Sequence, residues 1–354
     1  MKTKVLAILA LAVFCIVNTA WSKDVKVGFV YVGPTDDGGW TFAHDKGRKH
    51  LVSLGAKTAY VEKVNEADGF RTIRKLARSN DLIFTTSFGF MDPTLRAAKA
   101  FPNTTFLHLG GFKTHKNMGT YFGRMYQAKY LAGMIAGSMT KTNTIGVVGS
   151  HPISEIVRHI NAFALGVQAV NPSAKVQVVW INQWFDPPKE ISAANSLMDS
   201  GSDIIMSTVD SPASLQAAKK RGNLSIGNDN DQTEFVGDNH LTATIWDWGI
   251  YYGHIYNQVK NGTWKSQQDW WGIETGLVKL APLSPLLPGW IKAKVAETEK
   301  ALGSGKMKVF TGPIYNQAGE LALAKGKTHT DGEMLSMTYF VKGVVGNLPK
   351  GAKH

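Results

Sequence analysis

Val25-Lys26-Val27-Gly28-Phe29-Val30-Tyr31-Val32 is a β-rich run, closed by Gly33-Pro34 and followed by a helical pattern from Trp40 to about Leu54. Strand, turn and helix in that order make one βα unit, because β-branched and aromatic residues fill the first part and apolar spacing then shifts to the helical period. The unit recurs downstream. Lys57–Glu62 precedes a helix over Ala67–Ser79, Leu82–Thr86 precedes Pro93–Ala100, and Thr105–Leu109 is another short apolar strand. Alternation at this spacing predicts a parallel sheet with helices on both faces.

A helix over Gln127–Met139 follows, and Thr144-Ile145-Gly146-Val147-Val148-Gly149 restarts the alternation. The second strand set is expected at Val176–Ile181, Asp203–Thr208, Leu224–Gly227 and Leu241–Ile245, with helices near 154–171, 189–200 and 212–221. The helix over Tyr251–Asn261 is expected to return to the first lobe. The fold class is therefore α/β, in two lobes, each a parallel sheet with helices on both faces. Residues 23–120 plus 247–270 are expected in the N-terminal lobe, and 121–246 plus 271–354 in the C-terminal lobe. About 332 residues beyond the leader suit two lobes of ordinary domain size.

Residues 1–22 read as a cleaved signal peptide: Lys2 and Lys4 precede an apolar run to Val17, with Ala20 and Ser22 before Lys23. The run is shorter than the roughly 20 residues of a membrane span. Cys15 is the only cysteine and lies inside that run, without the small residue before it that a lipoprotein signal needs. The mature chain is thus expected in the periplasm, without a lipid anchor, and without disulfides or thiolate chemistry. The formal net charge of +12 is spread along the chain with no basic run, which argues for solvated surface and against a nucleic-acid partner.

Parallel sheets bind ligands at the carboxyl ends of their strands, where loops converge and helix N-termini point inward. Five loops there carry candidates. Asp36-Asp37-Gly38-Gly39-Trp40 places Trp40 at a helix start beside an acidic pair, as a ligand contact or as packing. Ser87-Phe88-Gly89-Phe90 offers Phe88, as ligand contact or core. Asn182-Gln183-Trp184-Phe185-Asp186 offers Trp184; two aromatics in a polar loop call for cover by ligand or by the other lobe. Asp210 and Asp229 follow two further strands, where carboxylates can accept from ring N–H groups or sugar hydroxyls, or, for Asp210, simply cap a helix.

Catalytic readings find no support. No dinucleotide fingerprint, Walker sequence, nucleophile elbow or H-E-x-x-H occurs, and the ten histidines are dispersed. Neither catalytic residues, metal ligands nor a cofactor are expected.

Taken in order, these loops resemble the basic membrane protein family, the purine-nucleoside receptors of ABC importers, from about Lys26 to Phe310. The family's D-x-S-F-N-Q is similar to Asp37-Gly38-Gly39-Trp40-Thr41-Phe42, with Trp40 at the stacking Phe. Its Y-L-A-G is Tyr130-Leu131-Ala132-Gly133, its G-S-F-x-D-P resembles Gln183-Trp184-Phe185-Asp186-Pro187, and its I-G-V-D-x-D-Q resembles Ile226-Gly227-Asn228-Asp229-Asn230-Asp231-Gln232. The resemblance implies a two-lobed type I periplasmic binding protein, with a base sandwiched by Trp40 and Trp184 and delivered to a membrane permease by a monomeric protein. Two departures stand out. The family's T-S-x-x-K, with a lysine near the ribose, is Thr242-Ala243-Thr244-Ile245-Trp246 here, and its N-Q pair is Thr41-Phe42. Trp246 in the ribose space predicts preference for a free base such as adenine or guanine over a nucleoside. A nucleoside-cleaving periplasmic enzyme and a ligand-presenting sensor co-receptor are the competing classes.

Overall fold

The computed structural model describes residues 24–349; the expected signal peptide and Cys15 lie outside them. In the first lobe the order is β1 (Lys26–Val30), α1 (Trp40–Ser53), β2 (Lys57–Val61), α2 (Gly69–Ala77), β3 (Leu82–Thr85), α3 (Met91–Ala100), β4 (Thr105–Leu109) and β5 (Met118–Gly123). The second lobe opens with α4 (Tyr126–Met139), β6 (Thr144–Gly149), α5 (Ser154–Val170), β7 (Lys175–Trp180) and α6 (Pro187–Asp199). It continues with β8 (Ile204–Ser207), α7 (Ala213–Lys220), β9 (Leu224–Asp229), the short α8 (Thr233–Val236) and β10 (His240–Trp246). The chain then returns with α9 (Trp248–Lys260) and β11 (Gln268–Trp271), and crosses again to β12 (Val278–Leu280) and α10 (Gly289–Gly303). A hairpin of β13 (Ile314–Tyr315) and β14 (Leu321–Leu323), then α11 (Asp331–Leu335) and β15 (Val344–Val345), complete the described chain.

The first sheet runs β11-β5-β4-β3-β1-β2 and the second β12-β10-β9-β8-β6-β7-β15. Every pairing is parallel except β12 against β10, an antiparallel edge. This is the two-lobed α/β architecture. Both β5 and β11 belong to the first sheet, so the chain leaves that sheet after Gly123 rather than at 120, and again after Trp271 rather than 270. Neither strand was legible. Met118-Gly119-Thr120-Tyr121-Phe122-Gly123 carries glycines that weaken a strand signal, and a Cβ at Gly119 would press on the Gln267 backbone where the chain runs toward β11.

The cores of the two lobes differ in kind. The first is aromatic around α1 and α9: Phe29, Tyr31, Tyr121, Trp248, Tyr251 and Tyr252 are buried together. The second is aliphatic, with α4 and α5 crossing against each other. A Cβ on Gly133 would strike the Phe163 carbonyl and one on Gly166 the Tyr130 carbonyl, so only glycine lets these backbones approach. No helix among the described residues is long and apolar enough to cross a membrane.

Candidate functional site

The site is built where the carboxyl ends of both sheets face each other. On the first-lobe side, the chain after β1 turns through Gly38, held at φ +77. This turn lets Asp37 fold back over the start of α1. Its Oδ1 accepts from the Gly39 and Phe42 amides, both at 2.9 Å, and its Oδ2 from the Thr41 amide at 2.8 Å. Orphan N–H groups at a helix N-terminus need such an acceptor. Burial nevertheless outweighs these bonds and raises the Asp37 carboxyl above its ordinary range.

Trp40 follows directly, half-buried, with its indole N–H donating to the Thr86 carbonyl at 2.9 Å. Its ring stands edge-on to His44, Trp246 and Trp248 at centroid distances of 4.6, 5.9 and 6.0 Å. Behind it, His44 stacks on Trp248 and bonds to the Tyr252 hydroxyl at 2.6 Å. Deep burial keeps this histidine neutral, with its pKa well below the ordinary value. His108 is likewise a core residue, bonded to Thr85 and pushed down to about 3 by desolvation.

On the second-lobe side, β9 ends at Asp229, which adopts φ +64 and is only 6% exposed. Its Oδ1 accepts from the Trp246 indole N–H at 2.8 Å. Trp246 closes β10, also 6% exposed, and stacks on Trp248 at 4.8 Å. Beside it, any Cβ on Gly123 would strike the Trp246 ring. Trp246 is thus core, bridge between lobes and donor to Asp229 at once. Trp246 therefore satisfies one of the two Asp229 oxygens.

Asp210 lies in the loop between β8 and α7, its amide donating to the Trp184 carbonyl at 2.9 Å. Capping of α7 falls to Ser211, whose hydroxyl accepts from the Ala213 amide at 3.2 Å. No residue among those described donates a hydrogen bond to the Asp210 carboxyl. Burial, then the charges of Asp37, Asp229, Glu190 and Glu155, raise that carboxyl well above its ordinary range.

The lobes touch at this rim. Gly39 lies against the Asp210 backbone so closely that a Cβ would collide with it. Lys46 donates to the Asn230 side-chain oxygen at 3.1 Å, and the Gln232 amide to the Gly38 carbonyl at 3.4 Å. Trp40, Trp246, Asp229 and Asp210 are therefore gathered into one crevice. Phe88 and Trp184 are not sealed into it: they are 44% and 40% exposed, and Trp184 lies against His151 at 4.9 Å. The cover that the sequence called for over Trp184 and Phe185 is partial, since Phe185 is 47% exposed.

Two groups escaped the sequence reading. Lys129 on α4 is fully buried and donates to the Asn228 side-chain oxygen at 2.6 Å, one residue before Asp229. Glu155 at the start of α5 is raised to about 7 by burial, against the pull of Arg158. A lone lysine inside Tyr126-Gln127-Ala128-Lys129-Tyr130-Leu131-Ala132-Gly133 was the available signal. Among the described residues no cluster of three His, Cys, Asp or Glu could hold a metal. The crevice offers flat aromatic faces and carboxylates, groups that can stack on a planar ring and accept from its N–H donors.

Residues 24–308 match the Bmp family, described as PnrA-like ABC transporter substrate-binding proteins. The chain belongs to that family. Among its relatives, a purine-binding protein of Brucella abortus is 46% identical over 93% of this chain and 95% of its own length. A Haloferax volcanii protein, provisionally named as an ABC transporter glucose-binding protein, is 38% identical over 92% of this chain and 82% of its own. A solute-binding protein from Conexibacter woesei shares the fold, with TM-score 0.71 at 24% identity, over 80% of this chain and 98% of that one.

Members of the family are solute-binding proteins, not enzymes, and work outside the cytoplasm as the substrate-binding component of an ABC transporter. The family match stops at 308, and the hairpin, α11 and β15 continue past it. That segment returns to the crossing between lobes. Arg124, just after β5, meets the Asp331 carboxylate with two bonds of 2.8 Å and lies over the Trp270 ring.

Proposed function

We propose that the protein captures a purine between its lobes for an ABC importer and prefers the free base to the nucleoside. Trp40 and Trp184 supply the two faces of the stack, Phe88 borders the mouth, and Asp229 accepts from a ring N–H group. Asp210, whose raised carboxyl keeps a proton, reads the ring through its remaining acceptor oxygen or donates to an unprotonated ring nitrogen. Closure brings Trp184 and Phe88 over the ligand, which gives their exposed rings a partner. The observation that carries the preference is Trp246, whose buried indole fills the end of the crevice and occupies one Asp229 oxygen. The second oxygen then takes the N–H that a free base has where a nucleoside carries its sugar. A nucleoside lacks that donor and would leave a desolvated carboxylate oxygen unpaired. The Brucella relative's name, purine-binding protein, supports the ligand class.

Stacking contributes roughly 1–3 kcal/mol per base, so two faces can supply much of the about 8 kcal/mol of a micromolar site. Calorimetry on ligand-free protein with adenine, guanine, adenosine, guanosine and glucose tests the reading. Bases should bind at least about tenfold more tightly than nucleosides, and Trp246→Lys should restore nucleoside binding. Nucleosides binding as tightly as bases would remove the preference. Glucose binding without purine binding would replace the ligand class.

A further inference from the structure

Lys129 is the one lysine among the described residues that is fully buried. It sits in the middle of α4, whose neighbouring buried side chains include Ala128, Leu131, Ala132 and Ile135. An ammonium costs several kcal/mol to desolvate unless it is bonded and faces opposite charge, and a methionine would fill such a place at no electrostatic cost. The compensation is found in one direction only. Its Nζ donates to Asn228 Oδ1 at 2.6 Å, approaches Met206 Sδ at 4.0 Å, and feels the carboxylates of Asp229 and Glu155. Asn228 is in turn pinned by its amide, which donates to Gln232 Oε1 at 3.2 Å, and by its carbonyl, which accepts from Asn230 at 2.7 Å. The ammonium therefore lies directly behind the turn that presents Asp229 to the crevice.

We propose that Lys129 is a positioning residue for ligand recognition: from behind β9 it fixes Asn228 and supplies the positive charge against which Asp229 works as an acceptor. The groups around Asp229 show why a charge is needed there. Asp37 faces it from the loop before α1, Asp210 from the loop after β8 and Glu155 from α5, while Lys46 on α1 reaches only as far as Asn230. Burial and Asp37 raise the Asp229 carboxyl, and Lys129, then the Trp246 bond, oppose them. Even with the ammonium in place, burial raises the Asp229 carboxyl to about 7; without it the carboxyl would keep its proton through neutral pH and present an O–H where the ligand presents an N–H. Recognition of a donor would turn into repulsion.

The ligand's identity here rests on the purine reading above; the effect on Asp229 does not. Lys129→Met removes both charge and bond, whereas Lys129→Gln keeps a donor for Asn228 and removes only the charge. Carboxyl carbon NMR of ligand-free protein, with Asp229→Asn for assignment, should show the Asp229 midpoint moving up in both variants. Lys129→Gln carries the test if Lys129→Met does not fold. Adenine affinity at pH 7 should fall about tenfold or more in both, and recover as rising pH ionises Asp229. An unchanged Asp229 midpoint overturns the proposal whether or not adenine binds. Full recovery by Lys129→Gln with a flat pH profile overturns it too, leaving a purely structural lysine. A shifted midpoint in a protein whose wild type ignores adenine upholds Lys129 and sinks the purine reading instead.

Discussion

Asp37 and Asp229 face one crevice from opposite lobes, and they are held in opposite ways. The donors to Asp37 are the amides of Gly39, Thr41 and Phe42, all within five residues of it. Asp229 takes its bond from Trp246 on another strand and its counter-charge from Lys129 on a helix of the same lobe. One carboxylate is a product of local chain geometry; the other is assembled by packing. A locally built acceptor keeps its form while the rest of the lobe changes, whereas an assembled one changes charge whenever a distant partner does. The difference matches the cores beneath. In the first lobe aromatic rings lock the helix start in place, and in the second a close helix pair carries buried ionisable groups.

The largest effect on stability should come from Asp37→Ala. It strands three backbone donors at the start of α1, two of them buried, and should cost about 2–3 kcal/mol in urea unfolding. Asp229→Asn keeps an acceptor for Trp246 and removes a charge that burial disfavours, but it also takes away the main charge facing Lys129, leaving Asn228 and Glu155 to hold the ammonium. It should therefore cost about 1–2 kcal/mol, still less than Asp37→Ala. A reversed order would break the comparison.

A smaller effect should come from Glu155, and it sharpens the same contrast through pH. Its carboxyl is raised from 4.5 to about 7. The folded chain thus binds this proton more tightly than the unfolded chain, and the Glu155 contribution falls as pH climbs through that window. Glu155→Gln should therefore be more stable than wild type at pH 8, by about 1–2 kcal/mol given its partial exposure, and equal to it below pH 4. Thermal melts across pH 4 to 8 check this; the same increment at every pH would show that charge is not the cause.

The smallest effect is expected at the surface. Asp331→Asn breaks the exposed pair with Arg124 and should cost about 0.5 kcal/mol at low salt and less at high salt. A loss several times larger would mean that the segment past residue 308 clamps the crossing between lobes, and that stability, like Asp229, is set across the chain.

Much of the first lobe was legible because its signals are local. β1, β3 and β4 are short apolar runs ended by turn residues, and Asp37-Gly38-Gly39-Trp40 carries its own cap and its own left-handed glycine. The glycine-bearing β5 and the polar start of β11 were not, since each is a strand only because the other lies beside it. Trp246 fell one residue past the expected strand Leu241–Ile245, whereas it closes β10, and its bond to Asp229 and its stack on Trp248 could not be read from the sequence. Lys129 was overlooked within a helix whose pattern gave no reason to weigh one lysine.

The sequence by itself determined the alternation of β1–β4 and of β6–β10 with their main helices, the two-lobed α/β class and the loops that reach the crevice, because periodicity, turn chemistry and capping act over a few residues. Tertiary structure alone decided which side chains meet across that crevice and which of them carry charge. Desolvation depends on everything packed around a group, and the ammonium that opposes it at Asp229 comes from a helix on the far side of β9.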